Sequence, residues 1–551
     1  MTSRPRVPRL RAAVRMATAL ALAVLGLAAG GNPALASNYT AISGSGSSWA
    51  GVAIDAWITN LRRSGIVINY NPDGSAAGRS DYIQNQDAFA GSDPPFRNGA
   101  DELAGTGAEK PEGFSYLPDV GGGTAFMYHL DVAGKQITNL RLRPSTLMGI
   151  FTGKITNWDD AAITRDYGAR LPNLPITPVI RADGSGASYF LSRWFEHMNQ
   201  SAWNAFCLKV HPGLKLPCPQ TEFYPQFGNA KSENGSTNVA NYITSSYANG
   251  AIGYDEYAYA LGDHYPVVSV LNPDGYWTQP TASNVAVALT QAQIDEKKTS
   301  VNFLQQDLDQ VYTFKDPRSY PLSSYSYLIV PRLHTTEPTN FTPGQGRTLT
   351  TFSDFLLCAG QSYSYTKNLG YAPLPLNLVQ GGLLQADRVP GHIAGPNLNS
   401  LAGCANPTFT HGKLTLLLDA KYPSPCNKLG APLHCTVVGG KAKQTGSGGG
   451  GGSSGGKGSG SSGHGAQASA SATNGTGTGS GTGTGTGGIG TGGGVQPGAT
   501  GPVNGVTVNL ASDQTAQTAL GVLTALAVIA AVVIPPAVAA WLRRRRGQAH
   551  G

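Results

Sequence analysis

Three short stretches have the residue types needed to bind an anion: GSGSSW at 44–49, DGSAAGRSD at 73–81 and RADGSGASY at 181–189. Each sets glycine beside serine, and in the third an arginine stands just before the turn. Glycine lets the backbone approach a ligand closely, and serine hydroxyls supply donors. Where such a turn opens a helix, unpaired N–H groups and a partial positive charge face the same point. Ser48 and Trp49, Ser75, and Ser185-Gly186-Ala187 occupy these positions. Arg181 could add a charge-assisted, bidentate contact, and Asp183 could pair with it and fix its head group. The plain alternative is that these Ser and Asp residues are ordinary helix caps. That accounts well for one turn, and less well for three turns of which one directly follows an arginine.

Catalytic chemistry fits less well. A serine nucleophile needs a base and usually a strained G-x-S-x-G turn. None of the three serines lies in that pattern, and none of the ten histidines is tied to a triad by spacing. His197 falls in the middle of a helical pattern. No H-E-x-x-H or comparable metal spacing occurs, so no metal or cofactor is expected.

The elements that must position these turns are strand–turn–helix units. A strand over Ile66–Tyr70 precedes the second turn, Phe89-Ala90 leads into Gly91-Ser92-Asp93, and VIR at 179–181 ends at the third. Trp49, Ala53, Ala56-Trp57 and Leu61 fit a helix after GSGSS, and Phe190, Trp194 and Met198 recur at four-residue spacing after GSGAS. Such spacing buries one helix face. The repeated unit implies an α/β protein with ligands held at the carboxyl ends of its strands.

The ends of the chain read differently. Residues 1–36 have an arginine-rich start, an apolar run and Ala34-Leu35-Ala36, the pattern of a signal peptide. Residues 519–542 are apolar, long enough to span a bilayer, and are followed by Arg543–Arg546. The arginines place the tail, 543–551, in the cytoplasm and everything before the span outside. Residues 445–505 are mainly Gly, Ser and Thr, which predicts a disordered linker with a reach on the order of 40–45 Å. The expected localisation is therefore the cell membrane, with a single-pass C-terminal anchor and an extracytoplasmic folded body.

The net charge of +7 misleads. Without the nine arginines of the two terminal segments, 30 basic residues face 32 acidic ones. No broad electrostatic case for nucleic acid survives. Six cysteines in an exported chain favour disulfides. Proximity favours Cys207–Cys218 and Cys426–Cys435, which leaves Cys358–Cys404, although connectivity stays open at this level.

Six ordered blocks carry a resemblance: GSGSSWAG, NPDGSAAG, AFAGSDPPF, GKITNWDDAAI, RADGSGASY and GAIGYDEYAYAL. Together they resemble the PstS-type phosphate-binding proteins of ABC phosphate uptake systems, over about residues 41–375. The resemblance implies a two-lobed, periplasmic-binding-protein-like fold (type II) that closes on one inorganic phosphate. It implies lobe 1 at about 37–121 and 326–390 and lobe 2 at about 122–325, with crossings near Gly121–Gly123 and Tyr320–Ser326. Glycines at the first crossing suit a hinge or an ordinary loop. The implied phosphate contacts are Ser48, Trp49, Ser75, Asp93, Arg181, Ser185, Gly186 and Ala187. The implied function is capture of phosphate and delivery to an ABC permease, without catalysis. A phosphate sensor without transport and a phosphate-ester hydrolase are the alternatives. Two departures stand out. Ser48 replaces a threonine and keeps the hydroxyl, whereas Ala187 lacks the hydroxyl of the family's GSGTS pattern. Residues 391–444 have no counterpart and form a disulfide-containing extension.

Overall fold

Alternating apolar strands and amphipathic helices build an eight-stranded mixed sheet, with smaller sheets beside it. The computed structural model describes residues 39–332, 341–397, 401–409, 415–418 and 420–445. The expected signal peptide, membrane span and tail lie outside these residues, as does all but the first residue of the expected linker. Among the described residues no helix is long and apolar enough to cross a membrane.

The first half opens with β1 (Ile42–Gly46) and α1 (Gly51–Arg62), which buries Ala53, Ile54, Trp57, Ile58 and Leu61. Then come β2 (Ile68–Asn71), α2 (Ser75–Ile83) and β3 (Phe89–Ser92). The second half contains β4 (Phe114–Tyr128), β5 (Thr177–Arg181), α3 (Gly186–Val210), β6 (Lys231–Glu233), α4 (Gly235–Thr244), β7 (Ala251–Glu256) and α5 (Tyr257–Gly262). The chain returns through β8 (Ser323–Pro331). Strand order is β2-β1-β3-β8-β4-β7-β5-β6. The outer trios, β2-β1-β3 and β7-β5-β6, are parallel, while β8 and β4 run antiparallel to their neighbours.

β4 links the two trios. Its Phe114–Gly123 portion pairs with β8, and Thr124–Tyr128 pairs with β7. Gly121–Gly123 therefore do not form a loop: they lie inside this strand, opposite Tyr325, Ser324 and Ser323. Their role includes packing. A Cβ on Gly122 would lie 2.5 Å from the Trp49 ring. The helix after GSGAS is α3, as its spacing predicts, but Asn199 breaks it with a non-helical backbone. Phe190, Leu191, Trp194 and Phe195 are buried before that break, and Trp203, Phe206 and Cys207 after it.

The disulfides are Cys207–Cys218, Cys358–Cys404 and Cys426–Cys435. The second ties the extension to the body. Nearby, Asn406 and Thr408 both donate to the Leu374 carbonyl, at 2.9 and 2.7 Å. At the extension's other end the Leu429 N–H donates to the Gly275 carbonyl at 2.8 Å. The extension thus contacts both chain segments that flank β8.

Candidate functional site

The anion-type turns meet at one place because each follows the carboxyl end of a strand. β1 ends at Gly46 and the turn Ser47–Ala50 leads into α1. β2 leads to Ser75 at the start of α2, and β3 delivers Asp93. From the other half, β5 ends at Arg181 and α3 starts at Gly186.

Asp93 is the focus of the first group. It is buried, and its carboxylate accepts from Ser47 Oγ at 2.7 Å and Ser75 Oγ at 3.1 Å. Burial pushes its pKa up, while the nearby hydroxyls of Ser326, Ser47 and Ser75 and the charge of Arg181 partly oppose this. No described helix begins at Asp93, so it is not a helix cap.

Arg181 is the focus of the second group and is also buried. Its Nε donates to Asp183 at 2.8 Å, and Nη2 donates both to Asp183 and to Ser48 Oγ, the latter at 2.8 Å. Nη1 reaches Ser236 Oγ at 3.2 Å and Asp255 at 3.3 Å. Burial alone would lower the Arg181 pKa, but Asp255 and Asp183 outweigh it and keep the guanidinium charged. The expected Arg181–Asp183 pair is therefore present.

The remaining expected residues divide by role. Ser48 Oγ and Ser236 Oγ lie 2.8 Å apart, which joins the two halves. The Trp49 indole is buried, donates to Thr124 Oγ1 at 3.3 Å and packs edge-on against Tyr371. Ser185 does cap α3, accepting from the Ala187 N–H at 3.1 Å. The Ala187 N–H is thus already partnered. Ser188 does not replace the missing hydroxyl of residue 187, because its Oγ lies 2.8 Å from Tyr254 Oη. Gly186 lies directly against Asp93: a Cβ there would be 2.0 Å from the Asp93 Oδ2.

Sequence reasoning missed Ser47, Ser236 and Asp255. Ser236 donates to Asp255 at 2.7 Å, and Tyr259 Oη donates to the Ser48 carbonyl at 2.6 Å. Asp255 and Tyr259 lie within GAIGYDEYAYAL, so a signal for them existed. A buried ionic cluster was also missed. Arg79 donates to Glu109 at 3.0 Å and to Glu222 at 2.6 Å, and Arg97 contacts both acids. Glu222 follows α3, whereas the other three precede β4, so this cluster also bridges the halves. A groove of about 480 Å³ runs past it, lined in part by Asp73, Arg97, Asp183 and Phe223. A larger cavity, about 660 Å³, lies elsewhere, between Arg141, Trp277 and Tyr422 of the extension.

This geometry can hold a small polar group among hydroxyls, helix N-termini, a fixed guanidinium and one buried carboxyl. A profile of the PBP superfamily domain matches residues 31–359. The phosphate-binding protein PstS of Xylella fastidiosa strain Temecula1 is 28% identical over 342 residues, 62% of this chain and 83% of its own length. The phosphate-binding protein PstS3 of Mycobacterium bovis BCG Pasteur is 30% identical over 270 residues, 48% of this chain and 66% of its own. A solved phosphate binding protein from Stenotrophomonas maltophilia is 17% identical, with a TM-score of 0.45, over 68% of this chain and 99% of that one. With more than half of its length matched by that profile and PstS proteins among its relatives, this chain belongs to the PBP superfamily and is of the PstS type.

Proposed function

We propose that the folded body captures inorganic phosphate between its two halves and delivers it to an ABC permease. The two-lobed, type II division at the boundaries given above is part of this reading, as is the C-terminal anchor. The contact set is Ser48, Trp49, Ser75, Asp93, Arg181, Ser185, Gly186 and Ala187. The role is binding and release, not turnover.

The observation that carries the reading is Asp93. It is a buried carboxyl set against the first residue of α3 and within the electrostatic reach of Arg181. An ionised carboxylate accepts hydrogen bonds and donates none. Monohydrogen phosphate can donate its P–OH to Asp93 while hydroxyls, backbone N–H groups and Arg181 satisfy its other oxygens. Sulfate has no proton at neutral pH, so one of its oxygens would face the carboxylate unpaired in a desolvated site.

Calorimetry on the purified full-length protein tests this with phosphate, arsenate and sulfate. Phosphate and arsenate, which keep a proton, bind and compete, and sulfate binds much more weakly. Asp93→Asn narrows the phosphate-to-sulfate gap, because an amide can donate to a bare oxygen. Equal binding of sulfate and phosphate by the unaltered protein removes the proton-reading role of Asp93. Release of phosphate from an ester by the pure protein rules out a binding-only role. Delivery is tested by phosphate uptake in cells lacking this chain, which falls at limiting phosphate.

A further inference from the structure

Asp93 does not stand alone in the sheet. Tyr327 of β8 pairs with Ser92 of β3 on one side and with Pro118 of β4 on the other. One step along each strand, the row continues as Asp93, Ser326 and Asp119. A register shift between Tyr325 and Tyr327 sets Ser326 at a bulge, a feature that re-aims a side chain. Asp119 and Ser326 are both fully buried. Among the described residues, neither carboxylate oxygen of Asp119 has a hydrogen-bond partner at full hydrogen-bond geometry, nor does Ser326 Oγ. Ser326 is nonetheless close enough to both carboxyls to influence each.

Two buried carboxyls in one row cannot both ionise cheaply, and one proton is retained. Its position follows from the partners. Asp93 has Ser47 and Ser75 as donors and feels the charge of Arg181. At Asp119 burial dominates, and the nearby Ser326 hydroxyl and the backbone N–H groups of Val120 and Asp119 only partly oppose it, so its ionised form is costly in the interior. A neutral Asp119 removes the difficulty: its O–H donates to Ser326 Oγ, and the Ser326 O–H donates to the Asp93 carboxylate.

We propose that Asp119 and Ser326 form a buried proton-holding relay behind Asp93, with Asp119 neutral and Asp93 ionised, and that Asp119 is thereby a positioning residue for ligand selectivity. This rests on the phosphate reading of the Asp93 site. The relay keeps Asp93 an acceptor and directs that acceptor toward the P–OH. Burial, followed by the Asp93 charge, raises the Asp119 pKa well above its ordinary value. Among the described residues, the phenols of Tyr70, Tyr327 and Tyr371 also sense Asp119. These phenols are themselves pushed up by burial, so they stay neutral while Asp119 titrates.

The test uses the full-length chain, Asp119→Asn, Asp119→Leu and Ser326→Ala. Difference infrared spectroscopy at neutral pH, without phosphate, is expected to show a neutral-carboxyl C=O band that Asp119→Asn abolishes. Phosphate affinity of the wild type is expected to fall on the alkaline side as Asp119 ionises beside Asp93. Asp119→Asn loses that alkaline fall. Ser326→Ala and Asp119→Leu weaken phosphate binding by about tenfold at neutral pH, the effect of losing one hydrogen bond to a charged acceptor. Absence of an Asp119-dependent neutral-carboxyl band in the wild type overturns the relay, as does an unchanged alkaline fall in Asp119→Asn. The infrared result needs no phosphate. A wild type that fails to bind phosphate while showing the band refutes the phosphate reading and leaves the shared proton standing.

Discussion

Removing Arg181 acts on both folding and binding, and the two effects can be measured side by side. Its guanidinium holds Asp183, Asp255, Ser48 and Ser236 together. The side chains of Asp183 and Asp255 are only 7% and 6% exposed. Arg181→Ala leaves two buried carboxyls without their cation, and breaking such a pair costs about 3–5 kcal/mol. For binding, a lost hydrogen bond to a charged ligand costs about 1.5–3 kcal/mol, or roughly 10- to 150-fold in Kd. Ser75→Ala removes one hydroxyl from Asp93, which keeps Ser47 at 2.7 Å, so its effect is about two- to tenfold. Arg181→Lys keeps the charge but cannot span all four partners, so it falls between the two. Phosphate calorimetry gives the Kd values, and denaturant unfolding run beside it reports the folding cost. Similar, small losses in Arg181→Ala and Ser75→Ala would show that Arg181 is not the cationic contact. If Arg181→Ala does not fold, Arg181→Lys against Ser75→Ala makes the same comparison.

Two further outcomes follow from packing and from pH. Gly186→Ala puts a methyl group 2.0 Å from the Asp93 Oδ2, so the halves cannot approach as they do here. Phosphate affinity drops by roughly 5- to 150-fold, since overpacking costs about 1–3 kcal/mol, and small-angle scattering shows no compaction with phosphate; wild-type affinity would refute this. Asp354 has a pKa raised to about 7, first by burial and then by Asp387. Its folded value lies above the unfolded value of 3.8, so stability is lost as pH rises between the two and the loss is complete above pKa 7. Asp354→Asn is therefore expected to be more stable than wild type at alkaline pH by roughly 1–4 kcal/mol, a gap that closes toward acid pH. Thermal unfolding across that pH range checks it, and a gap independent of pH counts against the assignment.

What the sequence discloses is what short range determines. Strand–turn–helix units are local, so the turns at Ser48, Ser75 and Arg181 are visible as glycine and serine before helical spacing. The Arg181–Asp183 pair spans two residues and can be read directly. Arg79 and Glu222 are 143 residues apart, and nothing near either one signals that they meet. Ala187 shows a different limit. Its backbone N–H is visible in any sequence, but that this N–H is turned to Ser185 Oγ is a matter of cap geometry. The Gly121–Gly123 run reads as a hinge or loop because glycine is common in both. Here it permits a strand to pass beside Trp49, a long-range steric requirement that composition alone does not reveal.

On the proposed reading, the balance of charge around the anion explains why selectivity can rest on a proton. Arg181 is the cation among the assigned contacts, and Asp183, Asp255 and Asp93 surround it. Three carboxyl groups face one guanidinium, so attraction by net positive charge cannot be the main source of affinity. Hydrogen bonds from hydroxyls and from the N-termini of α1, α2 and α3 must supply it. Donors arranged around one acceptor count protons rather than charge. A site with surplus positive charge would hold sulfate and phosphate alike, because both are dianions near neutral pH. A site with nearly all of its groups donating and one accepting holds the anion that brings its own proton. The Arg79–Glu109–Arg97–Glu222 cluster complements this arrangement, joining the halves through protein–protein ion pairs at a position that needs no anion charge. Closure and recognition are in that way assigned to different residues, and changes at Glu222 and at Asp93 should act on different observables: the first on compaction, the second on which anion is chosen.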